Sequence, residues 1–160
     1  MAQAQKQVRI IEPLERFVNR INLVGCYARV SSDSEDQLNS YNNQVDFYES
    51  FVNSLENSKL VKIYTDEGIT GTRMDKRDGF LQMIEDCRKG LINTIITKSI
   101  SRFARNITET LSVVRELKSI GVTVYFMTEK INTAKMGSEM MLAVYAACAE
   151  IESKTISNGF

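Results

Sequence analysis

The chain has 160 residues, 43% of them hydrophobic, with 20 basic and 20 acidic side chains, three cysteines and no histidine. That length fits one domain with a real core. The missing histidine excludes Ser-His-Asp and Cys-His catalysis and His-ligated metals within this chain, and the balanced charge leaves only a local cluster to signal nucleic acid.

Residues 1–20 hold charges and the only proline, Pro13, and read as an N-terminal extension. Asn22–Ala28 reads as a buried strand. Ser34–Ser54 reads as a helix, with Leu38, Tyr41, Val45, Tyr48 and Phe51 at helical spacing. Lys59–Thr65 is a second strand, and Asp66–Arg77 (DEGITGTRMDKR), polar and with two glycines, is a loop. Asp78–Lys89 is a helix with Phe80, Leu81, Ile84 and Cys87 on one face and Gly90 as its stop. Asn93–Thr97 is a third strand leading into Lys98–Asn106. Thr108–Ser119 is a helix closed by Gly121, Val122–Met127 is a fourth strand, and the chain from about Met136 is helical.

Strands alternating with helices predict an α/β domain over 21–135, a mainly parallel four- to five-stranded sheet flanked by helices, with the start of a long C-terminal helix over 136–160. No apolar run reaches the roughly 20 residues of a membrane span, and MAQAQKQVRI has no signal-peptide core. Cys26, Cys87 and Cys148 lie far apart without CxxC spacing, which points to a cytoplasmic protein with small buried thiols.

In parallel sheets, sites collect at the carboxyl ends of the strands. Three such ends here carry polar, cationic sequence: Arg29-Val30-Ser31, the loop ending in Arg77, and Ser101-Arg102-Phe103-Ala104-Arg105. Arg102 and Arg105 share a face if a helical turn starts there, and paired guanidiniums suit a phosphate because each offers a fork of donors with permanent charge. A serine among arginines, here Ser31, is a pattern for attack on a phosphodiester, the arginines stabilising charge that builds on the phosphoryl oxygens. Taken singly, each arginine reads better as a surface arginine on a solvated helix end; taken together at successive strand ends, that reading weakens. Ser31 reads equally as an N-cap in SSDSED, a role that Ser32 or Ser34 fills as well.

The blocks YARVSS, DEGITGT, KRDGF and TKSISRFARN, in this order, resemble the catalytic domain of the serine recombinases, the resolvase/invertase family. The KSISRFARN form and the loop are similar to the large serine recombinases of phage integrases and mobile-element transposases, and the match covers roughly residues 22–155. The resemblance implies a resolvase-like fold and a site-specific recombinase that cuts and rejoins DNA through a 5′-phosphoserine link, with no metal or other cofactor. It implies double-stranded DNA as substrate, a homodimer, a homotetramer at synapsis, and an element-encoded directionality factor as a further partner.

By position, the resemblance makes Ser31 the nucleophile, Arg29 the adjacent phosphate-binding arginine, Arg77 the arginine after the loop, and Arg102 and Arg105 the pair of the third strand end. Gln44 matches the glutamine of the first helix or is a solvated helix residue. Tyr27 matches the tyrosine beside the site or belongs to the core. Thr70 stands where many relatives carry serine, and Ser101 where small resolvases carry aspartate, so that aspartate's acid/base role does not transfer. Glu152 matches the glutamate of the long helix or is a solvated carboxylate. The long polar loop implies that Arg77 takes its place only when DNA and partner subunits order it.

Met140–Ala149 is almost wholly apolar, which suits either a central core helix or one packed also on a second subunit. The chain stops at Phe160 with no helix-turn-helix pair or zinc module after it, so the expectation is an excised catalytic domain lacking its DNA-binding region. The rival readings are a non-enzymatic α/β phosphate- or nucleotide-binding module and an idle dimerisation domain. GCYARVSS supplies neither GxGxxG nor GxxxxGK[ST] for the first, and retention of Ser31 with the arginines opposes the second.

Overall fold

The computed structural model describes residues 20–31, 34–68, 77–104, 106–135, 137 and 143. The expected N-terminal extension and long C-terminal helix fall almost wholly outside them. The elements run β1 (Asn22–Ser31), α1 (Ser34–Asn53), β2 (Ser58–Gly68), α2 (Asp78–Arg88), β3 (Thr94–Thr97), α3 (Ile100–Phe103), α4 (Ile107–Ser119), β4 (Thr123–Phe126) and β5 (Ile131–Asn132). The strands form one sheet in the order β2-β1-β3-β4-β5, parallel except for the antiparallel β4–β5 pair. Among the described residues, no helix is long and apolar enough to cross a membrane.

Alternation along the strands sorts the two cores. Val24, Cys26, Ala28 and Ile96 face Tyr48 and Val52 of α1. Tyr27, Ile95, Val124 and Phe126 face α2, α3 and α4 on the other side. Tyr27, Phe80, Phe103 and Phe126 meet edge to face in sequence at centroid distances of 5.4, 5.2 and 5.4 Å. Such contacts add about 0.5–1.5 kcal/mol each beyond area burial, and this series fixes the short α3 against the sheet. Gly90 and Gly121, both at positive φ, close α2 and α4 as expected. In each case the following residue donates back across the last turn, Leu91 N–H to Asp86 O and Val122 N–H to Leu117 O.

Three expectations change. β1 runs on from Ala28 to Ser31 and β2 from Thr65 to Gly68, so Asp66 and Glu67 are strand and not loop. The cause is mutual pairing, Arg29 with Asp66, Val30 with Glu67 and Ser31 with Gly68, which continues after β3 has ended. Leu81 is 63% exposed, because the buried stripe of α2 is Phe80, Met83, Ile84 and Cys87, one helical step away. The two-residue β5, too short to show periodicity, was not among the elements read along the chain. Cys26 and Cys87 are buried, and burial pushes both thiols up to about 12.

Candidate active site

The site begins where β3 stops. β3 pairs with β1 only as far as Tyr27–Thr97, while β1 continues for four more residues with β2 alone. The edge that β3 leaves is taken over by side chains. The Tyr27 carbonyl accepts the Tyr48 hydroxyl at 3.1 Å and the Thr97 hydroxyl at 3.3 Å. Two residues on, the Arg29 carbonyl accepts Arg102 Nη1 at 3.2 Å. The ribbon overhang and α3 are thus joined by an arginine from the predicted site to the backbone of another.

Above this seam opens a cavity of about 1030 Å³, lined among others by Arg29, Gln44, Tyr48, Lys98, Ser101 and Arg102. Its wall is completed by the α1 residues Asn43 and Phe47 and by Met127 and Thr128 after β4. Three cations and no carboxylate stand among the described residues lining it. Gln44 Nε2 donates to Ser40 Oγ at 3.2 Å, which leaves its carbonyl oxygen uncommitted by that bond. Burial raises the pKa of the Tyr48 hydroxyl, so it stays a neutral donor at this wall. The Ser99 and Ser101 hydroxyls lie 3.1 Å apart, and Glu129 Oε1 accepts the Ile100 N–H at 3.3 Å at the start of α3. Such an arrangement can receive an oxyanion with multiple charged donors in a partly enclosed space.

The predicted residues therefore divide. Arg29, Arg102, Gln44 and Ser101 share the cavity. Ser31 ends β1 opposite Gly68, but its hydroxyl, with Arg105, Thr70 and Glu152, lies outside the described residues. Tyr27 is fully buried and its hydroxyl donates to Asp66 Oδ2 at 2.7 Å, so it belongs to the core beneath the site. Burial, aided by the hydrogen bond to Asp66 and opposed by Arg77, pushes its pKa up to about 12. Arg77 does not line the cavity; it packs over the Phe80 ring at 3.9 Å and pairs with Glu109 at 2.9 Å.

Two contributors escaped the sequence reading. Lys98 sits inside the quoted TKSISRFARN block, and its place directly after the third strand was the available signal. Asp66 was absorbed into the loop, although an aspartate closing an apolar strand run marks a candidate cap. Among the described residues, no group of three or more His, Cys, Asp or Glu is placed to hold a metal ion.

The fold is a mainly parallel α/β sheet with a cationic cavity at its carboxyl end, and comparison with known proteins narrows the class. The sequence profile of the resolvase N-terminal domain matches residues 24–159, and the chain belongs to that family, the serine recombinases. The transposon Tn552 resolvase of Staphylococcus aureus is 30% identical over 138 residues, covering 81% of this chain and 59% of that protein. The Tn552 DNA-invertase BinR of the same organism is also 30% identical over 138 residues, covering 81% and 61%. This chain thus spans about three-fifths of the length of these curated relatives. A resolvase family site-specific recombinase from Streptococcus pneumoniae superposes with a TM-score of 0.63 at 28% identity, covering 85% of this chain and 91% of that one. The N-terminal catalytic domain of TP901-1 integrase shares the fold, with a TM-score of 0.54 at 20% identity over 83% and 98% of the two chains.

Proposed function

We propose that this chain is the catalytic domain of a site-specific DNA recombinase, with Ser31 attacking a phosphodiester to form a 5′-phosphoserine link. The observation that carries the reading is the cavity at the end of β1 and β3, where Arg29, Lys98 and Arg102 gather with no carboxylate among the described residues that line it. A serine hydroxyl is a weak nucleophile at its ordinary pKa. Fixed guanidiniums beside the phosphate lower the barrier by stabilising charge on the phosphoryl oxygens, and no proton need pass through an imidazole. Arg105 joins this set from the same strand-end motif, Gln44 orients the phosphate from α1, and Thr70 and Ser101 add hydroxyls at the rim. The names of the relatives, a transposon resolvase and a DNA-invertase, support DNA rearrangement as the outcome.

The reaction conserves bond energy, because each P–O3′ bond broken is replaced by a bond from phosphorus to the serine Oγ, the serine proton ending on the leaving 3′-oxygen, and the free 3′-hydroxyl later attacks to reverse the exchange. It therefore asks for no high-energy cofactor, and the guanidiniums supply the charge stabilisation for which other phosphoryl-transfer sites use metal ions. Double-stranded DNA is the substrate, in a homodimer that pairs into a homotetramer at synapsis, with Glu152 and the apolar Met140–Ala149 segment serving that assembly and a directionality factor choosing its sense.

The test is to incubate the full-length gene product with DNA carrying the element's recombination junctions, in the presence of chelator. A covalent protein–DNA species that maps to Ser31 is expected, and it disappears in Ser31→Ala. Cleavage that is lost with chelator and retained in Ser31→Ala would sink the mechanism.

A further inference from the structure

Arg77 is the predicted site arginine that the fold draws away from the cavity. It stands at the entry to α2, and its side chain is 11% exposed. The guanidinium lies over two rings, 3.9 Å from the Phe80 centroid and 5.8 Å from that of Tyr27. Nη1 donates to Glu109 Oε1 at 2.9 Å, and Nη2 donates to the Phe103 carbonyl. Nε is buried and has no hydrogen-bond partner among the described residues.

This pose is informative in two ways. A guanidinium grips phosphate through its donor fork, and here the two outer nitrogens are both committed to protein acceptors. The third, Nε, carries a desolvation cost that the pose does not relieve. A purely structural arginine is best served by a pose that satisfies every donor. Arg77 instead keeps Nε without a partner among the described residues, while its Nη1 pairs with a carboxylate that is itself 32% exposed. Exchange of Glu109 for a phosphate replaces one anion by another and offers Nε a partner, which offsets part of the contacts given up on leaving this pose.

We propose that Glu109 is a latch: it withholds Arg77 from the phosphodiester, and release of this ion pair is a step that controls when the site fires. The inference rests on the reading above, that the site cleaves DNA. Glu109 touches no reacting atom and acts through Arg77 as a positioning residue. Its place in the first turn of α4 sets the latch next to the site's own scaffold. The Phe103 carbonyl that holds the other end of Arg77 closes α3, which carries Ser101 and Arg102. Letting go of Arg77 therefore also frees the end of the helix that presents Arg102, and one event readies both arginines.

The test compares the wild type, Glu109→Gln and the double variant Arg77→Ala/Glu109→Gln in the covalent-adduct assay on junction DNA. Modification of Arg77 by phenylglyoxal, mapped by mass spectrometry without DNA, is measured in parallel. Glu109→Gln is expected to form adduct about two- to fivefold faster than wild type, the factor to which a modest ion-pair contribution converts. Its Arg77 should react faster by a similar factor, and the double variant should form no adduct. Glu109→Asp keeps the acidic first turn of α4 but draws the carboxylate back, and a gain in the same direction is expected should the glutamine variant fold poorly. An adduct rate in both Glu109 variants equal to or below that of a working wild type overturns the latch and leaves the recombinase reading standing. No adduct from any of the proteins overturns both.

Discussion

Tyr27 and Asp66 meet at 2.7 Å across the β1–β2 pair, and the same carboxylate caps the start of α2. Asp66 Oδ1 accepts the Gly79 N–H at 2.7 Å, and Oδ2 accepts the Phe80 N–H at 2.9 Å as well as the tyrosine hydroxyl. One buried side chain thus ties β1, the edge strand β2 and the start of α2.

Asp66→Ala leaves two backbone donors and the Tyr27 hydroxyl without their acceptor. A loss of about 2–4 kcal/mol is expected, since each buried donor left unmade costs about 1–3 kcal/mol and partial access to water relieves some of it. Tyr27→Phe removes only one donor and should cost about 1 kcal/mol. Urea denaturation of the single and double variants checks this, and strictly additive losses would refute the shared network.

Gly79 has no room for a methyl group. A Cβ there would lie 2.4 Å from the Thr65 carbonyl oxygen and 3.0 Å from Asp66 Oδ1. Gly79→Ala must push α2 off the edge of β2, at about 1–3 kcal/mol. A lowered denaturation midpoint with an unchanged m-value is the expected result, and a neutral substitution would contradict the packing.

The alkaline limb of stability should be steep. Tyr27, Tyr48 and Tyr64 all have raised pKa values, chiefly through burial, that of Tyr27 lying at about 12. A raised folded pKa contributes stability that is complete below the unfolded value near 10 and is lost as pH rises through the folded value. The melting temperature should hold from neutral pH to about pH 9 and fall between about pH 10 and 12. Ultraviolet titration checks the cause: these phenols should ionise with unfolding, and a native-state titration near pH 10 would exclude it.

Arg102→Lys keeps the charge but removes the planar fork of donors, one of which reaches the Arg29 carbonyl. Adduct formation should drop about 10²- to 10³-fold, the usual cost of one transition-state donor. Duplex DNA affinity should change far less, because one phosphate contact survives. Equal losses in binding and cleavage would make Arg102 a docking residue only.

The sheet and helices were legible because period and punctuation agree in this chain. Gly90 and Gly121 stop the helices where the pattern ends, and NTIIT and VTVYFM contain the third and fourth strands. What escaped detection was non-local. Nothing near Asp66 in sequence announces Tyr27, 39 residues away, or continued pairing with Arg29. The gathering of Arg29, Gln44 and Arg102 was legible as a motif resemblance, and the long loop already made the place of Arg77 conditional, but the partners that hold it in the meantime were not legible. Its partner Glu109 is 32 residues distant and looks in the sequence like an ordinary first-turn helix acid.

Asn93 lies at the other end of the sheet. Its side chain accepts the Leu23 N–H at 3.0 Å and donates to the Ile21 carbonyl at 3.2 Å, while its backbone bonds Leu23 and Thr123. Strand alignment in β1, β3 and β4 is therefore settled at the amino ends, far from the cavity where the same strands finish. Charge can be rewritten at the mouth without unpicking the registration that this asparagine enforces at the root. An inactive variant at Arg29, Lys98 or Arg102 should remain a well-folded protein, and its defect can be read as chemistry.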